Sequence, residues 1–236
     1  MTNKKVVFID SFDEFNLSVA KKIVDTIQHS IEKRGKASIA ISGGTTPIEI
    51  FKVIKEKYLV KLDTENLNIY WVDERYVSHN HPDSNFGIAN DILLKHMKKV
   101  KIFPVDTEIS ITDAAYQYEQ LLMMNFNSKK EVPKFDLVFL GMGSDGHTAS
   151  LFPNTDQLSI SDKAVIAVKS KQLNYHRISL TFPVLNSAKN RIIAFYGQKK
   201  LKIYSEIQRN YHKKYPIQHL NPSSISESDS WFIGKF

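Results

Sequence analysis

Cysteine is absent from this chain of 236 residues, so neither disulfide bonds nor thiolate metal sites can stabilise the fold or take part in its chemistry. A run of about 18 apolar residues, the length that a membrane-spanning helix needs, is also missing. Near the amino terminus only four apolar residues follow one another before Asp10, which is too short a stretch for a signal peptide. We therefore expect a cytoplasmic protein that makes no membrane contact.

Signatures of nucleic-acid binding are missing as well, since the sequence contains no zinc-finger, RNP or helix-turn-helix pattern. The formal net charge is nevertheless +7 and the isoelectric point about 9.3. Part of this excess is local, because residues 187–220 carry eight Lys or Arg and only Glu206 as an acid. Such a balance suits nucleic acid, an anionic metabolite or simply a basic surface. Because the basic residues are spaced out rather than packed into a polybasic run, we expect no nucleic-acid binding. The sequence identifies no obligate protein partner.

Internal repeats and low-complexity linkers are also absent, and a hydrophobic content of 42% with 24% charged residues is ordinary for a globular protein. Short apolar runs, which predict strands, alternate with amphipathic segments, which predict helices. The predicted strands cover residues 6–9, 37–41, 68–72, 101–104, 135–140, 165–168, 178–182, 192–196 and 231–233. The predicted helices cover residues 15–34, 47–58, 86–97, 113–125 and 199–208, and a loop is expected at 221–230. This alternation predicts an α/β fold with a largely parallel, twisted, Rossmann-like sheet, helices on both faces and a single domain of residues 1–236.

Ligands of such sheets bind beyond the carboxyl ends of the strands, which directs attention to residues 42–47, 73–76, 141–149 and 197–200. The first of these loops reads Ser-Gly-Gly-Thr-Thr-Pro and joins a strand to the start of a helix. Gly43 and Gly44 would let the backbone approach an anion, and Thr45 and Thr46 would add hydroxyl donors. The loop lacks the Lys of a P-loop, so a tight turn before a capped helix is an equally good interpretation.

The segment at residues 141–153 carries the most chemistry, with three glycines in six positions followed by Thr-Ala-Ser-Leu-Phe-Pro. Asp145, Gly146 and His147 lie inside it. Histidine titrates near neutrality and can therefore take a proton from water and return it later. Asp145 would orient the imidazole or contact a substrate directly. The alternative is a structural histidine in a glycine-rich turn.

Charged residues occur at three further strand or helix ends. Asp73 and Arg75 follow a strand in the sequence Asp-Glu-Arg, where the two acids would orient the arginine or another cation. Arg177 lies at the start of a later strand, and Lys200 lies at the start of a helix. A lysine at that position is unfavourable beside the helix dipole unless an anion compensates. Surface ion pairs or a plain basic surface would explain each residue singly. The His-Asn-His-Pro-Asp run at 79–83 lacks a third and fourth identifiable ligand, so we expect no metal there.

Taken together, these motifs resemble the 6-phosphogluconolactonase family, and the resemblance covers most of the chain. It is carried by Ser-Gly-Gly-Thr-Thr-Pro at 42–47, Trp-Val-Asp-Glu-Arg at 71–75, Ser-Asn-Phe-Gly at 84–87, Phe-Asp-Leu-Val at 135–138, the 141–153 segment, Arg-Ile-Ser-Leu-Thr at 177–181 and Gly-Gln-Lys-Lys at 197–200. The fold implied is that of the related glucosamine-6-phosphate deaminases. In those enzymes the Asp-Gly-His core continues with a glutamate that assists ring opening, and their Asp-Glu-Tyr is Asp-Glu-Arg here. Residues 148–153 contain no acid, and both departures favour the lactonase.

Two positions depart from the lactonase pattern. Gly234 stands where an aspartate usually ends the Trp-hydrophobic-hydrophobic-Asp motif, which would weaken a structural contact rather than the catalytic group. Asn154 replaces a glycine, and asparagine tolerates the same left-handed backbone.

The resemblance implies hydrolysis of 6-phospho-D-glucono-1,5-lactone with His147 as general base. The glycine turn and the cations would hold the phosphate, and Asn85 and Gly146 would belong to the substrate site. Asp145 or Asp73 would orient His147 or the sugar hydroxyls. No metal or organic cofactor is expected. The alternatives are an amino-sugar phosphate deaminase and a sugar-phosphate sensor without catalysis.

Overall fold

The computed structural model describes residues 4–128, 131–169, 174–209, 214–220 and 228–236. Its main feature is a seven-stranded sheet in which every neighbouring pair is parallel. Its strands are β1 (Lys4–Ile9), β2 (Ala37–Ile41), β3 (Leu67–Trp71), β5 (Lys101–Phe103), β6 (Leu137–Leu140), β9 (Asn190–Tyr196) and β10 (Ser228–Gly234). The spatial order is β1-β10-β9-β6-β2-β3-β5. The parallel α/β architecture predicted from the sequence is confirmed.

Within the described residues, six α-helices cover the two faces of this sheet. They are α1 (Phe12–Arg34), α2 (Thr45–Val53), α3 (Asn85–Ile92), α4 (Ile111–Asn125), α5 (Phe182–Ser187) and α6 (Gln198–Arg209). The first three pack with one set of buried side chains, and the last three pack with a second set on the opposite face. Ile39 and Ile41 contribute to the first cluster and Ala40 to the second, because successive residues of a strand point to opposite faces.

Helix α1 shows how local sequence sets the boundaries of an element. The Ser11 hydroxyl accepts a hydrogen bond from the N–H of Glu14, and Gly35 ends the helix in a left-handed conformation with φ of 75°. A serine cap and a terminal glycine are the usual signals for these two positions. Every fourth residue from Phe15 to Ile27 is buried against the sheet, as the apolar spacing predicted.

The strand order reverses between β2 and β6. From β2 the chain continues outward through β3 to β5, whereas from β6 it continues in the other direction through β9 to β10, on whose outer side the earlier strand β1 pairs. The loops that follow β2 and β6 therefore diverge at the carboxyl edge of the sheet and leave a crevice between them. Ligands of open α/β sheets bind at such a switch point.

A second, three-stranded sheet was not predicted. It consists of β4 (Asp73–Arg75), β7 (Val165–Val168) and β8 (Arg177–Leu180) in the order β4-β8-β7, and both pairs are antiparallel. The backbone passes into it directly from β3 through Val72, whose N–H donates to Ile41 and whose carbonyl accepts from Leu180. The predicted strands at 165–168 and 178–182 thus exist, but they lie outside the parallel sheet.

Several element ends also differ from the predictions. The strand predicted to reach Phe182 ends at Leu180, and α5 begins at Phe182 because Pro183 suits the first turn of a helix. Helix α2 ends at Val53 and continues as a π-helical turn over Ile54–Tyr58. Of the loop predicted at 221–230, residues 221–227 lie outside the described residues, and Ser228 already belongs to β10.

Both departures from the family pattern now have a structural account. Asn154 has a left-handed backbone with φ of 59°, which confirms that expectation. A Cβ at Gly234 would lie 2.6 Å from the ring of Phe236 and 2.8 Å from the Cβ of Tyr196. The ring of Phe236 therefore occupies the space that a side chain at position 234 would need.

No helix in the described ranges is long and apolar enough to span a membrane. That residues 1–236 form a single domain stays a prediction.

A buried ion pair joins the neighbouring strands β9 and β10. Arg191 and Asp229 lie opposite each other in register, and two nitrogens of the guanidinium donate to the two carboxylate oxygens at 2.8 and 2.7 Å. Both side chains are almost completely buried. Removing one partner of such a pair leaves a buried charge uncompensated.

We therefore expect Asp229→Ala to lower the free energy of unfolding by about 3–5 kcal/mol, measured by urea denaturation at pH 7. Asp25→Ala is the matched control, because it breaks a pair with Lys21 in which both side chains are exposed, and its unfolding midpoint should stay near that of the wild type. Equal midpoints for the two variants would contradict a stabilising role of the buried pair.

Candidate active site

A cavity of about 340 Å³ opens at the switch point between β2 and β6. Its lining comes from all four predicted loops and from the adjoining end of the small sheet. The lining residues are Ser42, Gly43, Gly44, Thr45, Thr46, Pro47, Asp73, Arg75, Asn85, Gly141, Met142, Gly143, His147, Thr148, Ala149, Ser150, Phe152, Arg177 and Lys200. Predicted site residues far apart in the sequence are thus brought to one place.

His147 lies in a tight turn after β6 that is closed by its own backbone. The Gly143 N–H donates to the His147 carbonyl at 2.8 Å, and the Gly146 N–H donates to the Gly143 carbonyl at 3.1 Å. The imidazole packs on the ring of Phe152 with 4.6 Å between the ring centres. The turn and this aromatic contact together restrict the orientation of the histidine.

Asp145 contacts His147 and does not line the cavity. Its Oδ1 lies 2.6 Å from Nδ1 of His147 and accepts the His147 backbone N–H at 3.1 Å. Burial acts to raise the pKa of Asp145, but the hydrogen bonds and charge of His147 outweigh it, and the pKa lies below its ordinary value. Because an ionised carboxylate can only accept, Nδ1 carries the proton and Nε2 is left as a proton acceptor. Of the two roles predicted for Asp145, the geometry favours orientation of the imidazole.

The turn after β2 packs tightly against α3. A Cβ at Gly43 would lie 1.9 Å from Oδ1 of Asn85, so only glycine permits this close approach. The Nδ2 of Asn85 donates to the carbonyl of Asp73 at 2.9 Å, whereas its Oδ1 has no hydrogen-bond partner among the described residues. Thr45 and Thr46 form the first turn of α2, where free N–H groups face the cavity end of the helix.

The carboxylate of Asp73 is placed by a contact that the sequence did not predict. Ser150 donates its hydroxyl to Oδ2 of Asp73 at 2.7 Å, and the N–H of Ser150 donates to Oγ of Ser179 at 3.1 Å. Burial raises the pKa of Asp73, and the Ser150 hydrogen bond and the nearby charges of His147, Arg177 and Arg75 oppose that shift.

Three cations line the cavity. Arg75 and Arg177 lie opposite each other in the antiparallel pair of β4 and β8, where like charges repel unless an anion compensates. Arg75 also donates to the carbonyl of Asp83 at 2.8 Å. Burial lowers the pKa of Arg177 and also that of Lys200, whose ammonium lies 6.0 Å from the ring centre of Tyr196. This concentration of positive charge suits a multiply charged anion.

Glu74 is fully buried and does not line the cavity. Its carboxylate accepts the backbone N–H groups of Arg75, Asn85 and Phe86, each at 2.7 Å. Burial raises the pKa of Glu74 to about 7, although the three backbone donors oppose that shift. Glu74 therefore holds the backbone of two cavity residues, Arg75 and Asn85. That it also orients the arginine side chain or another cation stays a prediction.

Ten of the twelve predicted site residues line the cavity, and the exceptions are Asp145 and Gly146. Ser150 and Phe152 also line the cavity, and neither was assigned to the site from the sequence. Ser150 and Phe152 lie within the segment that the sequence singled out, but nothing in the sequence indicates which way their side chains point.

The two histidines of the 79–83 run have other partners. Nε2 of His79 lies 2.8 Å from the Val105 carbonyl, and Nδ1 of His81 accepts the N–H of Asp83 at 3.0 Å. In the part of the chain that the structure describes, no three His, Asp or Glu side chains are grouped to hold a metal ion.

Comparison with known proteins assigns the chain to a family. A family model described as glucosamine-6-phosphate isomerases/6-phosphogluconolactonase matches residues 10–231. The chain belongs to this family.

Members of the glucosamine-6-phosphate isomerase/6-phosphogluconolactonase family resemble the chain over most of its length. The 6-phosphogluconolactonase of Nostoc sp. is 36% identical over 193 residues, covering 78% of this chain and 77% of that protein. The 6-phosphogluconolactonase of Chlamydia trachomatis is 33% identical over 235 residues, covering 96% and 89%. The solved structure of a 6-phosphogluconolactonase from Trypanosoma cruzi superimposes with a TM-score of 0.86 at 26% identity and covers 98% of this chain and 95% of that one. The α/β fold is thus that of this family.

The raised pKa of Glu74 predicts a specific dependence of stability on pH. Below about 4.5 the carboxyl is protonated in both states, and between about 4.5 and 7 the folded state binds more protons than the unfolded state. The free energy of unfolding contributed by this group therefore falls as the pH rises through that window. Glu74→Gln removes this contribution. Between pH 4.5 and pH 8 the free energy of unfolding of the wild type, measured relative to that of the variant, should therefore fall by about 3 kcal/mol.

Urea denaturation of both proteins at pH 4.5, 5.5, 6.5 and 8 measures this difference. Parallel pH profiles for the wild type and Glu74→Gln would contradict a buried carboxyl that ionises near neutrality.

Proposed function

We propose that this chain hydrolyses 6-phospho-D-glucono-1,5-lactone to 6-phospho-D-gluconate with His147 as general base. The observation that carries the proposal is the contact of 2.6 Å between Asp145 and Nδ1 of His147 at the edge of a cavity lined by three cations. The relatives named 6-phosphogluconolactonase support the choice of this substrate.

The phosphate binds at the turn after β2 and the start of α2. Backbone N–H groups and the hydroxyls of Thr45 and Thr46 act as donors there, and the positive end of the helix dipole favours an anion. Lys200 and the pair formed by Arg75 and Arg177 add the charge that offsets a dianionic phosphate. Arg75 already has a carboxylate partner in Asp83 at 3.5 Å, and an anion between the two arginines adds to this compensation of like charges.

The lactone ring extends from this anion site toward His147. Nε2 of His147 takes a proton from water as the water oxygen forms a bond to the C1 carbonyl carbon. Collapse of the tetrahedral intermediate breaks the bond between C1 and the ring oxygen, and the imidazolium returns the proton to that oxygen. Asp145 stabilises the imidazolium through Nδ1. Backbone N–H groups of the glycine-rich turn or a neighbouring cation stabilise the oxyanion.

Asp73 and Asn85 complete the site by binding sugar hydroxyls. The carboxylate of Asp73 lies on the cavity wall, where Ser150 holds it in one orientation. Asn85 has an amide oxygen without a partner among the described residues. Both groups are acceptors, which suits hydroxyl donors.

The lactonase fits this site better than the deaminase does. A deaminase needs a further acid to assist ring opening, whereas Asp73 is the one carboxylate among the described residues that line the cavity. An ester that is already activated needs only positioned acid–base assistance, worth about 10²–10⁴-fold. The reaction as proposed uses no metal or organic cofactor. The cytoplasmic location of the protein stays a prediction.

The first experiment is a coupled assay in which glucose-6-phosphate dehydrogenase forms the δ-lactone. The rate at which 6-phosphogluconate appears is measured with and without this protein, and the rate without it is that of spontaneous hydrolysis. We expect the protein to accelerate hydrolysis and His147→Ala to lower kcat at least about 100-fold with little change in KM, because the base acts on the reacting water. His29→Ala, on α1, is the matched control and should retain wild-type kinetics.

Near-normal kcat in His147→Ala would contradict the assigned base. No acceleration by folded wild-type protein would overturn the lactonase. Ammonia released from glucosamine 6-phosphate would then identify a deaminase, and ligand binding without turnover a sensor.

Neighbouring lysines test the phosphate site. Lys200→Ala should raise KM about tenfold or more with a much smaller change in kcat, because it removes a charge-assisted contact made to substrate and transition state alike. Lys199 is exposed and does not line the cavity, so Lys199→Ala should leave KM unchanged. Equal KM values for both variants would exclude Lys200 from substrate binding.

A further inference from the structure

We propose that Tyr215 and Glu206 are positioning residues that hold the His147 turn at a fixed place relative to Lys200. The inference rests on the proposed function, since it concerns the same site. Neither residue lines the cavity, so any effect on the reaction must pass through other residues.

The contact begins at a short segment, residues 214–220, that we call the strap. Ile217 and Leu220 are buried, and the carbonyl of His219 accepts from Nδ2 of Asn186 at 3.0 Å. The imidazole of His219 also stacks on Phe182 with 5.2 Å between the ring centres. The strap is thereby fixed to α5, which packs on the sheet.

From this fixed position the strap contacts the residue that precedes His147. The N–H of Ile217 donates to the carbonyl of Gly146 at 3.1 Å. The ring of Tyr215 lies so close that a Cβ on Gly146 would be 2.6 Å from Cδ1 and 2.8 Å from Cβ of the tyrosine. Gly146 also has a left-handed backbone with φ of 81°. Both this conformation and the close contact with the ring of Tyr215 therefore require glycine at position 146. The strap is thus packed directly on the catalytic turn.

The other side of Tyr215 is tied to α6. Its hydroxyl donates to Oε2 of Glu206 in a short hydrogen bond, and Nζ of Lys214 lies 3.4 Å from the same oxygen. The Tyr215 hydrogen bond lowers the pKa of Glu206, as Lys214 does to a smaller extent. Glu206 is therefore an ionised acceptor at neutral pH. The hydrogen bond of Tyr215 and the longer contact of Lys214 thus join the strap, which packs on the catalytic turn, to the helix that carries Lys200.

The contact between Tyr215 and Glu206 joins the elements that carry His147 and Lys200, and the distance between these two side chains must match the length of the substrate. Lys200 and Glu206 lie six residues apart on α6, which is about 9 Å along a rigid helix. In the proposed function Lys200 binds the phosphate and His147 acts at C1, at the opposite end of the same molecule. An error of about 1 Å in the placement of a catalytic group can cost about 100-fold in rate. Loosening the link should therefore lower kcat while leaving substrate binding intact.

The test is Tyr215→Phe, which removes one oxygen and keeps the ring on Gly146. We expect kcat to fall about tenfold with KM within about twofold of the wild type and no loss of folded protein by thermal unfolding. Tyr116→Phe is the matched control, because that tyrosine is exposed on α4 and should show wild-type kinetics.

Variants at Glu206 show whether the hydrogen bond itself is responsible. Glu206→Ala should lower kcat as Tyr215→Phe does, and Glu206→Gln, which keeps an acceptor oxygen, should restore most of the rate. The double variant Tyr215→Phe/Glu206→Ala should be no slower than Glu206→Ala alone, because Glu206→Ala already removes the hydrogen bond that Tyr215→Phe removes. Additive losses, an unchanged kcat in Tyr215→Phe, or a parallel loss of kcat and thermal stability in every variant would overturn the proposal.

A readout without substrate separates this proposal from the proposed function. Hydrogen–deuterium exchange at the amides of Gly146 and His147 should be faster in Tyr215→Phe than in the wild type and unchanged in Tyr116→Phe. If the wild type hydrolyses the lactone but Tyr215→Phe matches it in kcat and in exchange, the link is excluded and the proposed function stands. If the wild type shows no lactonase activity, exchange that is faster in Tyr215→Phe than in the wild type still supports positioning of the turn by Tyr215. Equal exchange in the two proteins excludes it.

Discussion

The common direction of the seven strands in the main sheet is the constraint on which the cavity depends. Because every pair is parallel, the loops after β2, β3, β6 and β9 all leave the sheet at one edge. The reversal of strand order between β2 and β6 then separates two of these loops and opens the crevice between them. The glycine turn for which we propose phosphate binding and the histidine turn belong to these two loops, so their separation follows from the topology rather than from a direct contact between them.

Buried polar groups hold this arrangement in place at a cost in stability. Glu74 gains three backbone donors, yet its raised pKa shows that the ionised form is disfavoured by burial. The protein keeps a carboxylate there because it satisfies the N–H groups at the start of α3 and so fixes Arg75 and Asn85. A site that binds an anion with arginines needs their backbones to be held as firmly as their side chains.

Much of this architecture could be predicted from the sequence. The apolar spacing after Phe15 predicted α1, and the rule for strand ends predicted all four loops of the cavity. The small antiparallel sheet could not be predicted, because the apolar pattern of Val165–Val168 is the same whichever direction its neighbour runs. The bond between Ser150 and Asp73 joins residues from distant parts of the chain, and local patterns contain no information about such pairs. A fully buried Glu74 contradicts the usual preference of acids for the surface.

The pairing of β1 with β10 has a consequence for folding. Val6 lies opposite Trp231, so β1 and β10, the first and last of the described strands, pair with each other, and β1 lies at the end of the strand order. During synthesis on a ribosome β1 emerges before the other described strands, and its partner β10 is the last of them to become available. Contacts of such large sequence separation slow folding, and in the meantime the apolar residues of β1 are exposed to other nascent chains. The enzyme's sheet is therefore completed by the pairing that forms last.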